Sequence, residues 1–363
     1  MKKTNFKVAL ACGGTGGHIF PAMAVKDEFD KLSINSVFIT DIRGIKILKF
    51  QIMKIVNSGS PSAKGIKKVT NVLRIIHGVF QSLFFLSNRK IKLVIGFGGY
   101  PCVPVIIAAW LLRIPSIVHE QNKVVGRANR FCTILSKKIA LSFEIERKDN
   151  NPKKYFITGH PVRSSISDIG LKDYCTKNKD SLRILIIGGS QGAKFFSSHI
   201  PNAFIVLPKK YKKNLFITHQ ARIEDLNFLK KLYKKLDLKA EVSSFFENIS
   251  DYYKNCDLII SRSGASSVAE IAAAGRASIL IPLKSSFEDH QTKNALSLVQ
   301  AGAAKILSER EDFTKQLSLS LKEILSSPSI RKKMSENAKT VFVPNAANNL
   351  VRLGLSVCNE NLK

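Results

Sequence analysis

Short apolar runs recur along the chain, each closed by a glycine-rich or polar turn and most followed by a stretch with helical spacing. Val8–Ala11 reads as a first buried strand, followed by a glycine loop and a helix from about Pro21 to Lys31. Ser36–Thr40, Leu93–Gly96, Ser116–His119, Ile139–Leu141 and Tyr155–Thr158 read as further strands, and Val103–Leu112 as a helix. The pattern restarts at Leu182–Ile187 and continues through Asn214–Thr218, Asp257–Ile260 and Ser278–Ile281. Apolar runs this short fit strands buried on both faces, and strands alternating with helices imply a parallel sheet covered on both sides. The expected fold class is therefore α/β, with two Rossmann-like domains facing across a cleft and joined near Gly159–Ser167. Residues 1–162 are expected to form the first domain and 163–340 the second. Ligands of such sheets sit beyond the carboxyl ends of the strands.

A length of 363 residues suits two domains, and a 45% apolar content supplies two cores. Charge alters the picture more. Lys and Arg number 57 against 27 Asp and Glu, a formal net charge of +30. Such a surface attracts nucleic acid, anionic lipid or phosphorylated substrates. It also arises from solvated helix faces, as around Lys209–Lys213 and Lys230–Lys235. Charge alone selects no partner. The six cysteines are far apart and form no C-x-x-C pair, which argues against a zinc site or disulfide framework and for a reducing cytoplasm. Met1-Lys2-Lys3 before Val8–Cys12 mimics a lipoprotein leader, but Lys7 interrupts an apolar region that must run roughly 7–15 residues. No window is expected to reach the ~20 apolar residues of a membrane span; Val103–Leu112 is too short and contains Pro104. Val69–Lys92 mixes Val72, Leu73, Ile76, Phe80, Phe84 and Phe85 with Arg74, Arg89, Lys90 and Lys92. It suits an interfacial membrane contact, with Phe84 and Phe85 as anchors, and equally a buried core helix.

Four loops carry the candidate chemistry. They are Gly13-Gly14-Thr15-Gly16-Gly17-His18, Gly96-Phe97-Gly98-Gly99-Tyr100, Gly188-Gly189-Ser190-Gln191-Gly192-Ala193 and Ser261-Arg262-Ser263-Gly264-Ala265. Glycines let backbone N–H groups approach a phosphate, and a helix N-terminus favours negative charge. The spacing is neither that of a nicotinamide fingerprint nor of a P-loop. Each loop alone is equally well a tight strand-to-helix turn; four of them over both halves suggest more than one phosphate-bearing ligand. Glu270, two turns into its helix, is placed to accept from ribose hydroxyls, or else faces solvent. Asp289 to Ala295 opens another helix whose amides suit a sugar or base, or which Asp289 merely caps. His119-Glu120-Gln121-Asn122 ends a strand, and four polar side chains there are costly unless used. No D-x-D pair occurs, so a metal-held diphosphate is not expected; helix N-termini and Arg163 would take that role.

Together GGTGGHIFPA (Gly13–Ala22), GGYP (Gly98–Pro101), HEQN (His119–Asn122), HPVR (His160–Arg163), GGSQGA (Gly188–Ala193), SRSGASSVAE (Ser261–Glu270) and HQTKNA (His290–Ala295) resemble the peptidoglycan N-acetylglucosaminyltransferases over nearly the whole chain. The resemblance implies a GT-B fold, with a C-terminal helix at about 341–363 packing back on the first domain. It implies inverting transfer of N-acetylglucosamine from UDP-GlcNAc to the C4 hydroxyl of lipid I, forming lipid II. It implies donor contacts at Arg163, Ser190, Gln191, Ser263 and Gly264, with Glu270 on the ribose and Asn122 and Gln291 on the sugar. Thr15, Gly16 and Gly17 would line the cleft near the sugar, and Gly14, Gly98, Gly99 and Tyr100 would hold the acceptor diphosphate. His18 is the first catalytic candidate and Glu120 the second. No metal and no cofactor are implied. The implied location is the cytoplasmic face of the bacterial inner membrane, as a peripheral protein touching anionic lipids. His160 stands where the family has Asn, and Phe246 where an aliphatic residue is common.

His18 has a proton affinity suited to deprotonating an acceptor hydroxyl, while fixed dipoles at the Ser190 and Ser263 loops suit a departing diphosphate. Two other readings compete: a GT-B transferase acting on diacylglycerol, and a basic RNA-binding protein. Against the latter, no RNP, KH or zinc signature appears, so no nucleic-acid partner is expected.

Overall fold

A computed structural model describes residues 6–48, 53–59, 66–145, 151–172, 174, 181–189 and 192–359. The chain divides into two compact units, one of Met1–Arg163 with Val343–Lys363, the other of Ser164–Phe342.

In the first unit the strands are β1 (Lys7–Ala11), β2 (Asn35–Thr40), β3 (Met53–Ile55), β4 (Leu93–Gly96), β5 (Ser116–Glu120), β6 (Lys138–Leu141) and β7 (Tyr155–Ile157). They pair in parallel in the order β3-β2-β1-β4-β5-β6-β7. The second unit holds β8 (Leu182–Ile187), β9 (Leu215–Gln220), β10 (Lys239–Ser243), β11 (Leu258–Ser261), β12 (Ser278–Leu280) and β13 (Ala304–Ile306), parallel in the order β10-β9-β8-β11-β12-β13. Both are doubly wound sheets, and in each the first strand of the unit is central. The continuous apolar runs are the interior strands: β4 and β5 are buried at every residue. Three strands escape the apolar pattern. These, β3, β10 and β13, are edge strands carrying Lys54, Lys239 and Lys305, charges that an edge tolerates readily.

The first helix spans Gly16–Lys31 and starts inside the glycine loop, earlier than the proline suggested; Pro21 lies within it. Its buried Ile19, Val25 and Phe29 meet β1 and the closing helix Ala346–Asn359, which adds Leu350, Val351 and Val357 to the same core. Arg163, expected at the head of the second domain, belongs to the first unit, where its guanidinium lies 4.6 Å from the Phe20 ring.

The helix Ile66–Asn88 has two apolar faces. Ser82 and Leu86 are buried, and Ile75, Leu83 and Phe85 pack on the core that contains the helix Cys102–Leu111. Val69, Val72, Leu73, Ile76, Phe80 and Phe84 are exposed, spaced along the opposite side. Two expectations change. Val69–Asn88 is long and apolar enough to cross a membrane by length and composition; interspersed Arg and polar residues had masked this. Phe85 turns inward, so Phe80 joins Phe84 on the solvent side.

Candidate functional site

Within the first unit the loops after β1, β2, β4 and β5 lie together at the carboxyl ends of the strands. The Gly13 N–H donates to the Gly98 carbonyl at 2.9 Å, joining two glycine loops. Gly98 and Gly99 have φ of +91° and +82°, and a Cβ on Gly99 would sit 2.9 Å from the Gly13 Cα. A side chain at Gly99 would thus be both strained and clashing. Gly14 and Gly16 are buried, Gly17 is exposed, and Tyr100 is half-buried in the turn after Gly99. Thr15 occupies the N-cap of the first helix, yet its hydroxyl does not cap the backbone; it pairs with His18 Nδ1 at 3.0 Å. Fixing Nδ1 in this way aims Nε2 toward Gly98, where a Cβ would meet it at 3.3 Å. Burial, then the charge of Arg43, pushes the His18 imidazolium down to about 4, so the ring is neutral near pH 7.

Sequence reasoning missed the Asp41–Arg43 pair after β2. Asp41 is buried; its Oδ1 accepts the Arg43 N–H at 3.1 Å, and its Oδ2 accepts from Arg43 Nε at 2.9 Å and Nη2 at 2.6 Å. A Cβ on Gly14 would fall 2.2 Å from Asp41 Oδ1 and 2.6 Å from Arg43 Cβ, so this pair walls the first glycine loop. The legible signal was an Asp-x-Arg directly after a strand.

The polar residues His119–Asn122 make several hydrogen bonds within the protein, while His119 Nδ1 is buried without a partner among the described residues. Buried His119 pairs through Nε2 with the Gly159 carbonyl at 3.1 Å, and Gln121 donates to the Phe97 carbonyl. Glu120 is 1% exposed and accepts four hydrogen bonds. Its Oε1 takes the Asn122 N–H at 2.9 Å and Asn122 Nδ2 at 3.2 Å; its Oε2 takes the Gly126 N–H at 3.0 Å and Asn129 Nδ2 at 2.8 Å. Burial raises its proton affinity, and these donors draw it back toward the charged form. A carboxylate so committed braces the loop that follows β5 and the helix Arg127–Leu135. Asn122 is thereby held by Glu120.

In the second unit, Gly264 is the N-cap of the helix Ala265–Ala274, and a Cβ there would meet open space. Ser263 is fully buried and its hydroxyl lacks a partner among the described residues. The Tyr253 hydroxyl donates to Glu270 Oε2 at 3.2 Å, a second partner that sequence reasoning missed. Gln291 Oε1 accepts the Leu283 N–H at 2.9 Å, which leaves its amide N–H₂ for other partners. Ser190 and Gln191 lie outside the described residues. Ser263 and Gly264 again follow a strand end, that of β11, and Gln291 lies near the start of the helix His290–Gln300, after β12.

Comparison with known proteins agrees with this layout. The glycosyltransferase family 28 N-terminal domain matches residues 8–141, and the C-terminal domain of the same family matches residues 183–350. A Rhodospirillum centenum protein is 36% identical over 349 residues, covering 94% of this chain and 92% of its own. A Caulobacter vibrioides protein is 36% identical over 352 residues, covering 95% and 97%. Both carry the name UDP-N-acetylglucosamine–N-acetylmuramyl-(pentapeptide) pyrophosphoryl-undecaprenol N-acetylglucosamine transferase. Among solved structures, Acinetobacter baumannii MurG aligns with a TM-score of 0.76 at 28% identity, covering 97% of this chain and 99% of its own. The UDP-GlcNAc 2-epimerase of Neisseria meningitidis, with UDP-GlcNAc bound, shares the fold at a TM-score of 0.67 and 16% identity.

Proposed function

We infer the reaction from one premise: the chain belongs to glycosyltransferase family 28 and, within it, to the UDP-N-acetylglucosamine–N-acetylmuramyl-(pentapeptide) pyrophosphoryl-undecaprenol N-acetylglucosamine transferases. It is a hexosyltransferase of peptidoglycan synthesis, moving N-acetylglucosamine from UDP-GlcNAc to the C4 hydroxyl of the MurNAc of lipid I and forming lipid II. The observation that carries the reading is the near full-length identity to transferases of that name. The direct test offers the purified protein UDP-GlcNAc with a soluble lipid I analogue or with diacylglycerol. Turnover with the first alone is expected; turnover with diacylglycerol alone would move the chain to the competing glycolipid class.

For the chemical step we propose His18 as the base. With Nδ1–H donating to Thr15, Nε2 keeps its lone pair and takes the proton of the C4 hydroxyl as that oxygen attacks the anomeric carbon. Inversion follows from a single displacement with UDP leaving on the opposite face. Charge growing on the departing diphosphate is met by the N-terminus of Ala265–Ala274, by Ser263 and Gly264, and by Ser190, Gln191 and Arg163 from the sequence pattern. Glu270, steadied by Tyr253, takes the ribose hydroxyls, and Gln291 and Asn122 take the sugar. Thr15, Gly16 and Gly17 border the reacting sugar, and Gly14, Gly98, Gly99 and Tyr100 form the acceptor diphosphate site. Glu120 is read as a positioning residue rather than a base, because its lone pairs are already engaged.

The outward stripe of the helix Ile66–Asn88 supports a peripheral seat on the cytoplasmic face of the inner membrane. Its exposed Val69, Leu73, Ile76, Phe80 and Phe84 would enter the interface, with Arg74, Arg89 and Lys90 meeting anionic headgroups. Lipid I, anchored in that leaflet, is the reason for such a seat.

A further inference from the structure

We propose that Arg43 is a binding residue for the acceptor diphosphate, held ready by Asp41 at the edge of the first glycine loop; this rests on the lipid I reading given above. Three features support it. First, the guanidinium is oriented in advance. Nε and Nη2 are tied to Asp41 Oδ2, while Asp41 is itself buried and accepts the Arg43 N–H. An Arg locked this way loses little further freedom on meeting an anion. Second, the lock leaves donors over. The side chain remains 63% exposed, and Nη1 carries no hydrogen bond to the described residues. A guanidinium has five N–H donors, so a carboxylate that takes two leaves three for phosphate oxygens. Third, the position fits. The Arg43 Cβ lies 2.6 Å from where a Gly14 Cβ would be, and the charges of both Arg43 and Asp41 are felt at His18. The diphosphate of the acceptor is one sugar away from the hydroxyl that His18 would deprotonate, so a cation against the loop that carries His18 falls within reach of that anion.

The backbone N–H groups of the two glycine loops supply dipoles but no formal charge. Arg43 adds that charge on the same edge. The Asp41 carboxylate cancels part of the field at a distance, so Arg43 acts chiefly on an anion in contact with it.

The test compares wild type with Arg43→Gln and Arg43→Lys. Binding of a short-chain lipid I analogue is measured by calorimetry without donor, followed by steady-state kinetics. Arg43→Gln should weaken analogue binding and raise its KM about tenfold, the loss expected for one charge-assisted contact. KM for UDP-GlcNAc should stay within about twofold, which also reports an intact fold. Arg43→Lys should recover part of the loss. The same glycopeptide on a neutral linker in place of the diphosphate should bind wild type and Arg43→Gln alike. Unchanged analogue affinity in Arg43→Gln, or equal losses with both linkers, would overturn the proposal while leaving the lipid I reading intact. Wild type that binds no diphosphate-bearing analogue would overturn both.

Discussion

Replacing Glu120 by Gln separates a bracing carboxylate from a catalytic one. In the native site each carboxylate oxygen accepts two N–H groups, at 2.9 and 3.2 Å on Oε1 and at 3.0 and 2.8 Å on Oε2. A glutamine has one acceptor oxygen. Whichever way the amide turns, its own N–H₂ then faces two donors inside a site where Glu120 was 1% exposed. Leaving a buried donor unmet costs about 1–3 kcal/mol, so two of them cost on the order of 3 kcal/mol after relaxation. For units of this size that is a fall in Tm of about 10 °C. Differential scanning calorimetry of wild type, Glu120→Gln and Glu120→Asp, with kcat measured well below each transition, checks it. Bracing predicts a lowered Tm together with altered KM for both substrates, since Asn122 and the Gly126 turn move with the carboxylate. An unshifted Tm with kcat reduced a thousandfold or more would refute the reasoning and restore Glu120 as a proton acceptor.

Other expectations follow from the same geometry. His18→Ala should lower kcat by about 10²–10⁴ with little change in KM for UDP-GlcNAc, as expected for a lost base; retained turnover would remove His18 from the step. Because burial and Arg43 lower the His18 imidazolium to about 4, the ring stays neutral as pH falls from 7.5 to about 5.5. The free-enzyme kcat/KM should therefore be flat over that window, and an acid limb centred near 6.5 would contradict the assignment. Tyr253→Phe should raise KM for UDP-GlcNAc several-fold through loss of the 3.2 Å bond to Glu270. In a Glu270→Ala background the same change should have no further effect, and additive losses would argue against positioning. Phe80→Ser combined with Phe84→Ser should reduce binding to anionic vesicles by tenfold or more, since each exposed ring contributes about 1.5–3 kcal/mol when buried. Turnover of a soluble acceptor should persist, and undiminished vesicle binding would locate the membrane contact elsewhere.

The interior of both sheets was legible because β1, β4, β5 and β11 are buried nearly throughout, and β8 through Ile184–Ile186, and so write mostly apolar runs. Three edge strands, β3, β10 and β13, were not. Lys239–Ser243 and Ala304–Ile306 mix charge with small apolar residues, as solvated edges do. At the site, the glycine loops could be read from composition, since φ near +90° at Gly98 requires that residue. What could not be read was which polar groups are already used. The partners of Glu120 come from later turns and from the helix Arg127–Leu135, and those of His119 and Gln121 from Gly159 and Phe97. A run of four polar residues after a strand does not by itself show which of its atoms the fold already engages, as it does both carboxylate oxygens of Glu120. Asp41–Arg43 and Tyr253 were missed for the converse reason. Each draws its meaning from a neighbour across the fold, Gly14 in one case and Glu270 in the other.

The most direct measurement of the central claim is the structure of the product formed from UDP-GlcNAc and a lipid I analogue, read by mass and by the anomeric coupling in proton NMR. The account predicts a gain of one N-acetylglucosamine on the C4 oxygen of MurNAc, with the large coupling of a β linkage, because a single displacement assisted by His18 inverts the α-linked donor. An α linkage, attachment at another oxygen, or no transfer would contradict it.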